Sequence, residues 1–421
     1  MGTVPSEHMS NVVPDRAKIV FLSAVMHGDN PRALLMMNAL RAGGHDVVAL
    51  MVHTKAGSSA PLDGVRHIGL PAPRANFQSG SQIRSLLRAL TDRVRNGWRL
   101  YKLVLIERPD LCICHEPDSW LVGLLAKRRL GVCLMVDLRE VYTDRASAFP
   151  RPLRGLAARG MDKAIRFLAN RSDGIIHVSA HREEHYQLRH PHTIAIHHRC
   201  DPALFAGVAA KRPPGLDGRL VFIHAGPLRP SYAASEILAA LESTHTSIPD
   251  VVLLVVGGSI ASGHLQPVVD RLQRSGRLVL SPYVPRDEVA ALIKGADVGL
   301  SLVLPVDVTH RLASPTKLFE YMEAGLPVIG SDLPEIHDVL TTWKCGLLVD
   351  ATKPAEIASA FVRMATDSSL RKALAQNARA AAAQLTWHAE QKALLEFVAQ
   401  RLTGGTGGGQ GHPKATQIPR R

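Results

Sequence analysis

The sequence predicts an α/β protein built from two doubly wound parallel sheets. Short runs of aliphatic and β-branched residues alternate with helix-like segments, and the alternation starts a second time near Arg219. The chain of 421 residues is also long enough to form two separate cores. Because parallel strands need crossover connections, we expect helices on both faces of each sheet.

The elements follow in order from local pattern. In the first series we predict strands at 18–24, 46–52, 110–114, 132–138 and 174–178, with helices at 31–42, 83–102, 120–130 and 153–170. In the second series we predict strands at 219–225, 251–256, 278–280, 298–302, 328–329 and 347–349.

Composition shifts set the predicted domain boundaries. The segment Lys211-Arg-Pro-Pro-Gly215 interrupts the alternation, so we place one domain over 16–203 and a second over 204–385. A final helix is predicted over 386–402. The polar segment 1–15 and the Gly-rich segment 403–421 are expected to be disordered.

Charge and cysteine content narrow the class of protein. Lys and Arg number 50 against 37 acidic residues, giving a formal net charge of +13, which suits phosphorylated or otherwise anionic partners. The five cysteines show no paired framework, which favours a reducing compartment. No apolar run is long enough to span a bilayer, so we expect a cytoplasmic protein. Cys112-Ile-Cys114-His115 lacks the spacing of a zinc site, and we predict no bound metal.

The segment Ser314–Asp332 carries most of the functional information. Ser314 is a suitable N-cap, Pro315 suits the first helical position, and Gly325-Leu-Pro327 ends the helix before a strand. The N-terminus of this helix, with Thr316 and the charge of Lys317, favours a phosphate. Glu320 follows one turn later on the same face, where its carboxylate could accept hydrogen bonds from a ribose diol. The expected ligand is a nucleoside diphosphate.

This segment resembles the signature block of the retaining group 1 glycosyltransferases of GT-B fold. The match rests on the residues Pro315, Lys317, Glu320, Tyr321, Met322, Gly325, Pro327 and Val328. The resemblance implies two Rossmann-like domains facing a central cleft, with a nucleotide sugar as co-substrate, no cofactor, and Lys317 and Glu320 in the catalytic machinery. The structural alternative is that this segment is a capped amphipathic helix of an unrelated α/β protein.

The chain departs from the family pattern in three places, of which the first two concern the phosphate grip and the third concerns the hydroxyl contacts of the sugar. After the strand at 219–225, members of the family usually have an Arg directly after Gly226 and a Lys-Gly pair further on. This chain has Pro227 and Tyr232-Ala233 there. Leu312 stands where the family's first Glu would be. We therefore expect Arg229 or Arg311 to supply missing positive charge, because each charge-assisted hydrogen bond contributes roughly 1.5–3 kcal/mol.

Two further constellations resemble the family's acceptor side. Asp110-Leu-Cys-Ile-Cys-His115-Glu-Pro-Asp118 ends a strand, and the resemblance implies that His115 lies beside the transferred sugar, with Glu116 and Asp118 next to it. Asp137 and Glu140 end the next strand and are expected at the cleft rim. The structural alternatives remain open: His115 bonding only to the next helix, and the carboxylates capping a helix or pairing with Arg.

A basic helix predicts where the acceptor is found. Apolar residues recur at spacings of three and four on 83–102, with Arg and Lys around them, as in a helix that lies on an anionic membrane. A solvated surface helix is the alternative. Membrane contact would suit a lipid-linked glycan acceptor, as in the synthesis of surface polysaccharides, with the protein on the inner face of the plasma membrane.

The sequence thus predicts a metal-independent, retaining hexosyltransferase that uses a nucleotide sugar. Two alternatives share the fold: a non-catalytic scaffold, suggested by the missing cations, and a nucleotide-sugar 2-epimerase. A dinucleotide-dependent dehydrogenase is disfavoured because no Gly-x-Gly-x-x-Gly follows the first strand. A nucleic-acid binder is disfavoured because interleaved aromatic residues are lacking.

Overall fold

The computed structural model describes residues 16–26, 31–53, 64–71, 82–142, 144, 151–258, 260 and 263–403. Its contacts divide the chain into two compact units. The first contains the chain up to Ile196 and returns from Glu390, and the second contains His197–Ala389. The segments 1–15 and 404–421, for which disorder was predicted, lie outside the described residues.

The first unit is a seven-stranded parallel sheet in the order β3-β2-β1-β4-β5-β6-β7. Its elements are β1 (Lys18–Met26), α1 (Pro31–Ala42), β2 (Asp46–His53), β3 (Arg66–Pro71), α2 (Gln82–Glu107), β4 (Leu111–Cys114), α3 (Pro117–Leu130), β5 (Cys133–Leu138), α4 (Arg154–Ala169), β6 (Gly174–His177), α5 (Ala180–Tyr186) and β7 (Thr193–Ala195). The strand order reverses between β1 and β4, so this unit is doubly wound.

The second unit is a six-stranded parallel sheet in the order β10-β9-β8-β11-β12-β13. Its elements are β8 (Leu220–Ala225), α6 (Ala234–Ser243), β9 (Val251–Val256), α7 (Gln266–Arg274), β10 (Leu278–Ser281), α8 (Arg286–Lys294), β11 (Val298–Ser301), α9 (Val308–Arg311), α10 (Thr316–Glu323), β12 (Val328–Ser331), α11 (Pro334–Trp343), β13 (Gly346–Val349), α12 (Pro354–Thr366) and α13 (Ser368–Gln384). Here the order reverses between β8 and β11.

Burial on both faces explains why the central strands read as continuous apolar runs. In β9, Val252, Leu254 and Val256 pack into one hydrophobic cluster, while Val251, Leu253 and Val255 pack into the cluster on the opposite face. This alternation is the period-two side-chain geometry of a strand covered by helices on both sides.

The last helix, α14 (Trp387–Leu402), passes from the second unit into the first. A Cβ on Gly43 would lie 2.5 Å from a methyl group of Leu395, and one on Gly174 would lie 2.9 Å from the Phe397 ring. Both glycines therefore leave room for the side chains of α14.

The division between the units lies a few residues before the predicted one, at Ile196–His197. Residues after it already pack with the second unit: His198 Nδ1 lies 2.9 Å from the Ser314 carbonyl oxygen, and the Arg199 guanidinium lies 5.0 Å from the centre of the Phe319 ring. The predicted boundary was based on the Pro-rich segment at 211–215. Local composition does not show side-chain contacts between distant residues, so these contacts could not be predicted from it.

Candidate active site

A pocket of about 240 Å³ opens in the second unit, between the carboxyl ends of β8 and β9 and the start of α10. It lies beside the reversal of strand order, where α/β sheets commonly bind ligands. One part of its wall is apolar, and the other part carries Thr316, Lys317, Glu320 and Arg286. The apolar part is formed by Leu204, Phe205, Val256, Val284, Val289 and Ile293. Such a division suits a ligand with a flat organic end and an anionic end.

Two glycines form a close backbone contact in the pocket wall. Gly226 and Gly257 have φ angles of 105° and 127°, which L side chains rarely adopt. A Cβ on Gly257 would lie 3.0 Å from the Gly226 carbonyl carbon and equally close to the Pro227 nitrogen. Glycine at both positions therefore allows the two backbone segments to approach each other in the pocket wall.

Helix α10 is held against the sheet by Tyr321. Its hydroxyl accepts the Ala225 N–H at 2.8 Å and lies 3.4 Å from the Leu300 carbonyl oxygen, so it links the helix to both β8 and β11. The Tyr321 ring occupies the space in which a Cβ on Gly299 would lie. The helix ends as predicted: Gly325 has φ 72°, and the N–H groups of Gly325 and Leu326 bond back to Met322 and Tyr321.

The start of α10 differs from the prediction. Pro315, not Ser314, is the N-cap, because the Leu318 N–H donates to the Pro315 carbonyl and the helix begins at Thr316. Ser314 is buried, with a relative exposure of 6%. Of the predicted phosphate-binding residues, Thr316, Lys317, Glu320 and Gly226 line the pocket, whereas Ser314, Pro315, Arg229 and Arg311 do not. Both arginines are exposed.

Lys317 is the cation that lies nearest to Gly226 in the pocket wall. Its Nζ lies 3.8 Å from the point that a Cβ on Gly226 would occupy, 3.1 Å from His224 Nε2, and 4.6 Å from the centre of the Tyr232 ring. Burial lowers the pKa of Lys317 to about 7, although the Glu320 charge acts in the opposite direction. An arriving diphosphate would favour its charged form.

Glu320 lies one turn deeper and pairs with Arg286, whose Nη2 is 3.0 Å from Glu320 Oε1. Burial raises the pKa of Glu320, and the charges of Arg286 and Lys317 partly offset this effect. The pair therefore places an acidic side chain beside a guanidinium in the pocket wall.

The first unit contains a buried network of charged and polar side chains, which we call the closed network: Arg32, His115 and Asp137. His115 has no exposed surface, its Nδ1 lies 2.7 Å from Asp137 Oδ2, and its ring meets the edge of Phe21 at a centroid distance of 5.1 Å. Arg32 Nη2 lies 3.2 Å from Asp137 Oδ1 and 3.5 Å from the His177 carbonyl oxygen, and Arg32 Nη1 donates to the Ile196 carbonyl. Burial alone would raise the pKa of Asp137, but Arg32 and His115 hold it well below its usual range.

The other predicted acceptor residues lie around this network. Glu116 is also buried, accepts hydrogen bonds from Ser23 Oγ at 2.9 and 3.1 Å, and lies 3.5 Å from Arg139. Asp118 is partly exposed and 3.9 Å from Arg93, while the more exposed Glu140 is 3.5 Å from Arg139. Asp137 thus has the ion pair with Arg that was the structural alternative, and the acceptor roles of these residues remain predictions.

Sequence reasoning missed Arg32 and Arg286, and it gave no role to His224. Arg32 is 105 residues from Asp137, and Arg286 is 34 residues from Glu320, so no local spacing indicates either pair. One signal was available for His224, because a histidine at the end of an otherwise aliphatic strand is unusual in a buried β-strand.

In the part of the chain that the structure describes, no group of three or more His, Cys, Asp or Glu is placed to hold a metal ion. None of the described helices is long and apolar enough to cross a bilayer.

Two doubly wound parallel units, one with a pocket at the carboxyl ends of its strands, are the architecture of the GT-B class of transferases. The family comparison agrees with this class. The model of glycosyl transferases group 1 matches residues 209–381, and that of the glycosyl transferase 4-like domain matches residues 28–198. The chain belongs to the group 1 glycosyltransferases and is a glycosyltransferase by family.

Individual relatives are distant. The chain is 25% identical over 384 residues to the D-inositol 3-phosphate glycosyltransferase of Salinispora arenicola, covering 85% of this chain and 80% of that protein. The solved structure of sucrose-phosphate synthase from Thermosynechococcus elongatus matches with a TM-score of 0.67 at 18% identity, over 93% of this chain and all of that one. The structure of Anabaena HepE with UDP-glucose matches with a TM-score of 0.64 at 16% identity, over 91% of this chain and all of that one. These two structures confirm the GT-B fold.

Proposed function

We propose that this chain transfers a hexosyl group from a nucleoside diphosphate sugar, bound in the second unit, to a hydroxyl of an acceptor, with retention of anomeric configuration. The observation that carries the proposal is the pocket that places Lys317 against Gly226 and, one helical turn deeper, Glu320 against Arg286.

The roles follow from the geometry of the pocket. The diphosphate lies at the backbone of Gly226 and the first turn of α10, where the helix dipole and Lys317 supply positive potential. Glu320 accepts the ribose hydroxyls, and the apolar wall with Phe205 and Val284 takes the base. Lys317 then stabilises the charge that develops on the leaving diphosphate, which is the usual source of catalysis in such a site.

The reaction breaks the bond between the anomeric carbon and the diphosphate oxygen and forms one to the acceptor oxygen. Among the described residues that line the pocket, Glu320 is the one carboxylate, and we assign it to the ribose hydroxyls. We therefore propose that the acceptor attacks from the face that the diphosphate leaves, and that its proton passes to the leaving phosphate. The protein then acts by positioning and charge stabilisation. We propose that this proceeds without a metal ion, and that His115 orients the transferred sugar.

For the acceptor we propose a lipid-linked glycan at an anionic membrane. Helices α2, α3 and α4 connect strands that advance in one direction across the sheet, so right-handed crossovers place them on the same face. These helices expose large apolar side chains, which we call the exposed helix face: Val94, Trp98, Ile106, Leu121, Leu125, Leu156 and Phe167. Val94 and Trp98 belong to the apolar stripe predicted from sequence, and they point away from the buried Leu100 and Val104.

The cations on the same helices strengthen this proposal. Lys102 Nζ lies 5.7 Å from the Trp98 ring, and the Arg171 guanidinium, just after α4, lies 3.4 Å from the Phe167 ring. Aromatic rings beside cations are typical of segments that rest at the headgroup level of a bilayer. A phosphorylated polyol is the second candidate acceptor, because the curated relative from Salinispora arenicola is named for D-inositol 3-phosphate.

Thermal denaturation with UDP-, GDP-, TDP- and ADP-glucose in EDTA tests the donor site. We expect one of the four to raise the midpoint of the wild-type protein and to have no such effect on Glu320→Ala. Glu323→Ala is the matched control, since Glu323 lies on the same helix but does not line the pocket. If none of the four shifts the wild-type midpoint, the protein lacks the proposed donor site and a non-catalytic scaffold becomes the better explanation.

A further inference from the structure

Three side chains form a cradle around a single ammonium group in the donor pocket. Lys317 Nζ lies 3.1 Å from His224 Nε2 and 4.6 Å from the centre of the Tyr232 ring, and the two rings are 6.0 Å apart. His224 is fully buried at the end of β8, so its ring is fixed by the sheet. The position of the ammonium is thus set by the strand that also supplies Gly226.

The chemistry of the two nitrogens determines their protonation. A lysine ammonium has three donors and no acceptor, so it bonds to an imidazole nitrogen only through that nitrogen's lone pair. Burial and the neighbouring Lys317 charge both hold the pKa of His224 well below its usual range. His224 is therefore a neutral acceptor, and it does not repel the ammonium as a second cation would.

The described ionisable groups around Lys317 come from four elements. His224 is on β8, Tyr232 follows it in the next turn, Glu320 is on the same helix, and Arg286 on α8 pairs with Glu320. Because Arg286 largely balances Glu320, Lys317 has no full counter-charge of its own in the ligand-free protein. Burial therefore dominates, and the pKa of Lys317 is lowered to about 7.

We propose that His224 is the residue that positions Lys317 for the donor diphosphate, and that donor binding draws a proton from solvent onto Lys317. The proposal rests on the donor site proposed above. The proton step is a simple addition: the neutral amine of Lys317 gains one proton, and the resulting ammonium donates to His224 and to the phosphate oxygens. The diphosphate supplies the negative charge that the empty pocket lacks.

This arrangement accounts for one of the departures from the family's phosphate grip, the tyrosine at position 232. Tyr232 stands where a second lysine is usual, and its ring face lies against Lys317 rather than competing with it for the phosphate. His224 supplies an acceptor instead of another charge. One cation with an adjustable proton thus replaces a cluster of fixed cations.

Isothermal titration at pH 8 tests the proton step directly. The probe is whichever of UDP-, GDP-, TDP- and ADP-glucose binds, titrated in two buffers of different ionisation enthalpy. With the pKa of Lys317 lowered to about 7, binding at pH 8 is expected to take up most of one proton, and affinity should fall with increasing pH by up to about tenfold per pH unit. Binding of the probe with no proton uptake would overturn the inference and leave the donor site standing, whereas failure of every probe to bind would refute the donor site itself.

Variants assign the effect to the two residues. Lys317→Arg, whose guanidinium stays charged, should bind with almost no proton uptake. His224→Leu should weaken binding about tenfold at pH 7, and His224→Gln, whose amide oxygen can accept, should recover part of that loss. His245→Asn, at an exposed histidine after α6, is the matched control and should behave as the wild type.

A purely structural role for His224 predicts a different outcome. In that case His224→Leu and His224→Gln would lower the thermal midpoint without changing binding or proton uptake in the folded fraction. If His224→Leu does not fold, wild-type uptake and Lys317→Arg still decide the proposal, since equal uptake in these two proteins would contradict it.

Discussion

The two units treat a buried charge differently at the carboxyl ends of their strands. Beside β5 in the first unit the charge is paired with protein groups, whereas beside β8 in the second unit it faces a pocket. At the first, Asp137 is fully buried, and both of its oxygens lie against Arg32 and His115. At the second, Lys317 faces a pocket with a neutral histidine as its partner. Similar topology thus gives a closed network in one unit and an open one in the other.

The difference shows how to separate structural from binding residues in a doubly wound sheet. A charge that is satisfied by protein groups stabilises the fold as long as its partners remain, and removing one partner leaves the others buried and unpaired. A charge that lacks a protein counter-ion is available to a ligand. The predictions below test this contrast, and they run from the largest expected effect to the smallest.

The closed network should give the largest effect. Asp137→Ala leaves Arg32 and His115 buried without their carboxylate, and we expect a loss of about 3–5 kcal/mol in the free energy of unfolding. Urea denaturation measures it, with Glu140→Ala, at a partly exposed carboxylate nearby, as the control, expected within about 0.5 kcal/mol of the wild type. A loss below about 1 kcal/mol for Asp137→Ala would show that the network is not a stabilising one.

The same network sets a pH dependence. Because the pKa of Asp137 is lower in the folded than in the unfolded protein, its contribution is present above about pH 4 and is lost as pH falls below that value. The acid-induced loss of stability should therefore be smaller in Asp137→Asn than in the wild type.

Substitutions in the pocket of the second unit should affect donor binding rather than folding. Glu320→Ala removes the acceptor of the ribose hydroxyls and leaves Arg286 partly solvated, so donor affinity should fall roughly 10- to 100-fold, or about 1.5–3 kcal/mol, with little change in unfolding free energy. Arg286→Ala should cost less, because Glu320 keeps Lys317 as a neighbouring charge. His115 belongs to the buried network of the first unit, so His115→Ala should also lower stability, and in the folded protein it should lower turnover more than donor affinity. Equal turnover of Glu320→Ala, His115→Ala and the wild type would remove the site assignment.

The smallest effect on stability is expected at the exposed helix face. Trp98→Ser and Ile106→Ser remove apolar groups that are 56% and 74% exposed, so the free energy of unfolding should change by less than about 0.5 kcal/mol. Co-sedimentation with vesicles rich in anionic phosphatidylglycerol should nevertheless drop, while Tyr283→Ser, at an exposed aromatic residue of the second unit, should not reduce it. Equal sedimentation of all these proteins would argue against a membrane acceptor.

The sequence predicted the central strands well because their burial on both faces demands aliphatic residues. The predicted ranges of β8 and β9 agree with the structure to within one residue. Two strands at the edge of the first sheet, β3 and β7, were missed, since their sequences Arg-His-Ile-Gly-Leu-Pro and Thr-Ile-Ala lack an aliphatic run.

For the site, the local pattern identified the residues whose roles depend on one helix. Lys317 and Glu320 were found because their spacing places them on one face of α10. Arg229 and Arg311 were proposed by analogy of charge, but the structure leaves them outside the pocket. Arg286 and His224 could not be assigned, because only the folded sheet brings them to Glu320 and Lys317.

The final helix has a consequence for how this protein is made. The first unit is not a continuous stretch of chain, since the residues from Glu390 that pack against Gly43 and Gly174 come last. A ribosome therefore releases the complete second unit before the first can close over these two glycines. During synthesis, the part of the first unit that α14 covers therefore stays exposed until α14 has been made. Misassembly during synthesis would accordingly begin in the first unit, although its residues are made before those of the second.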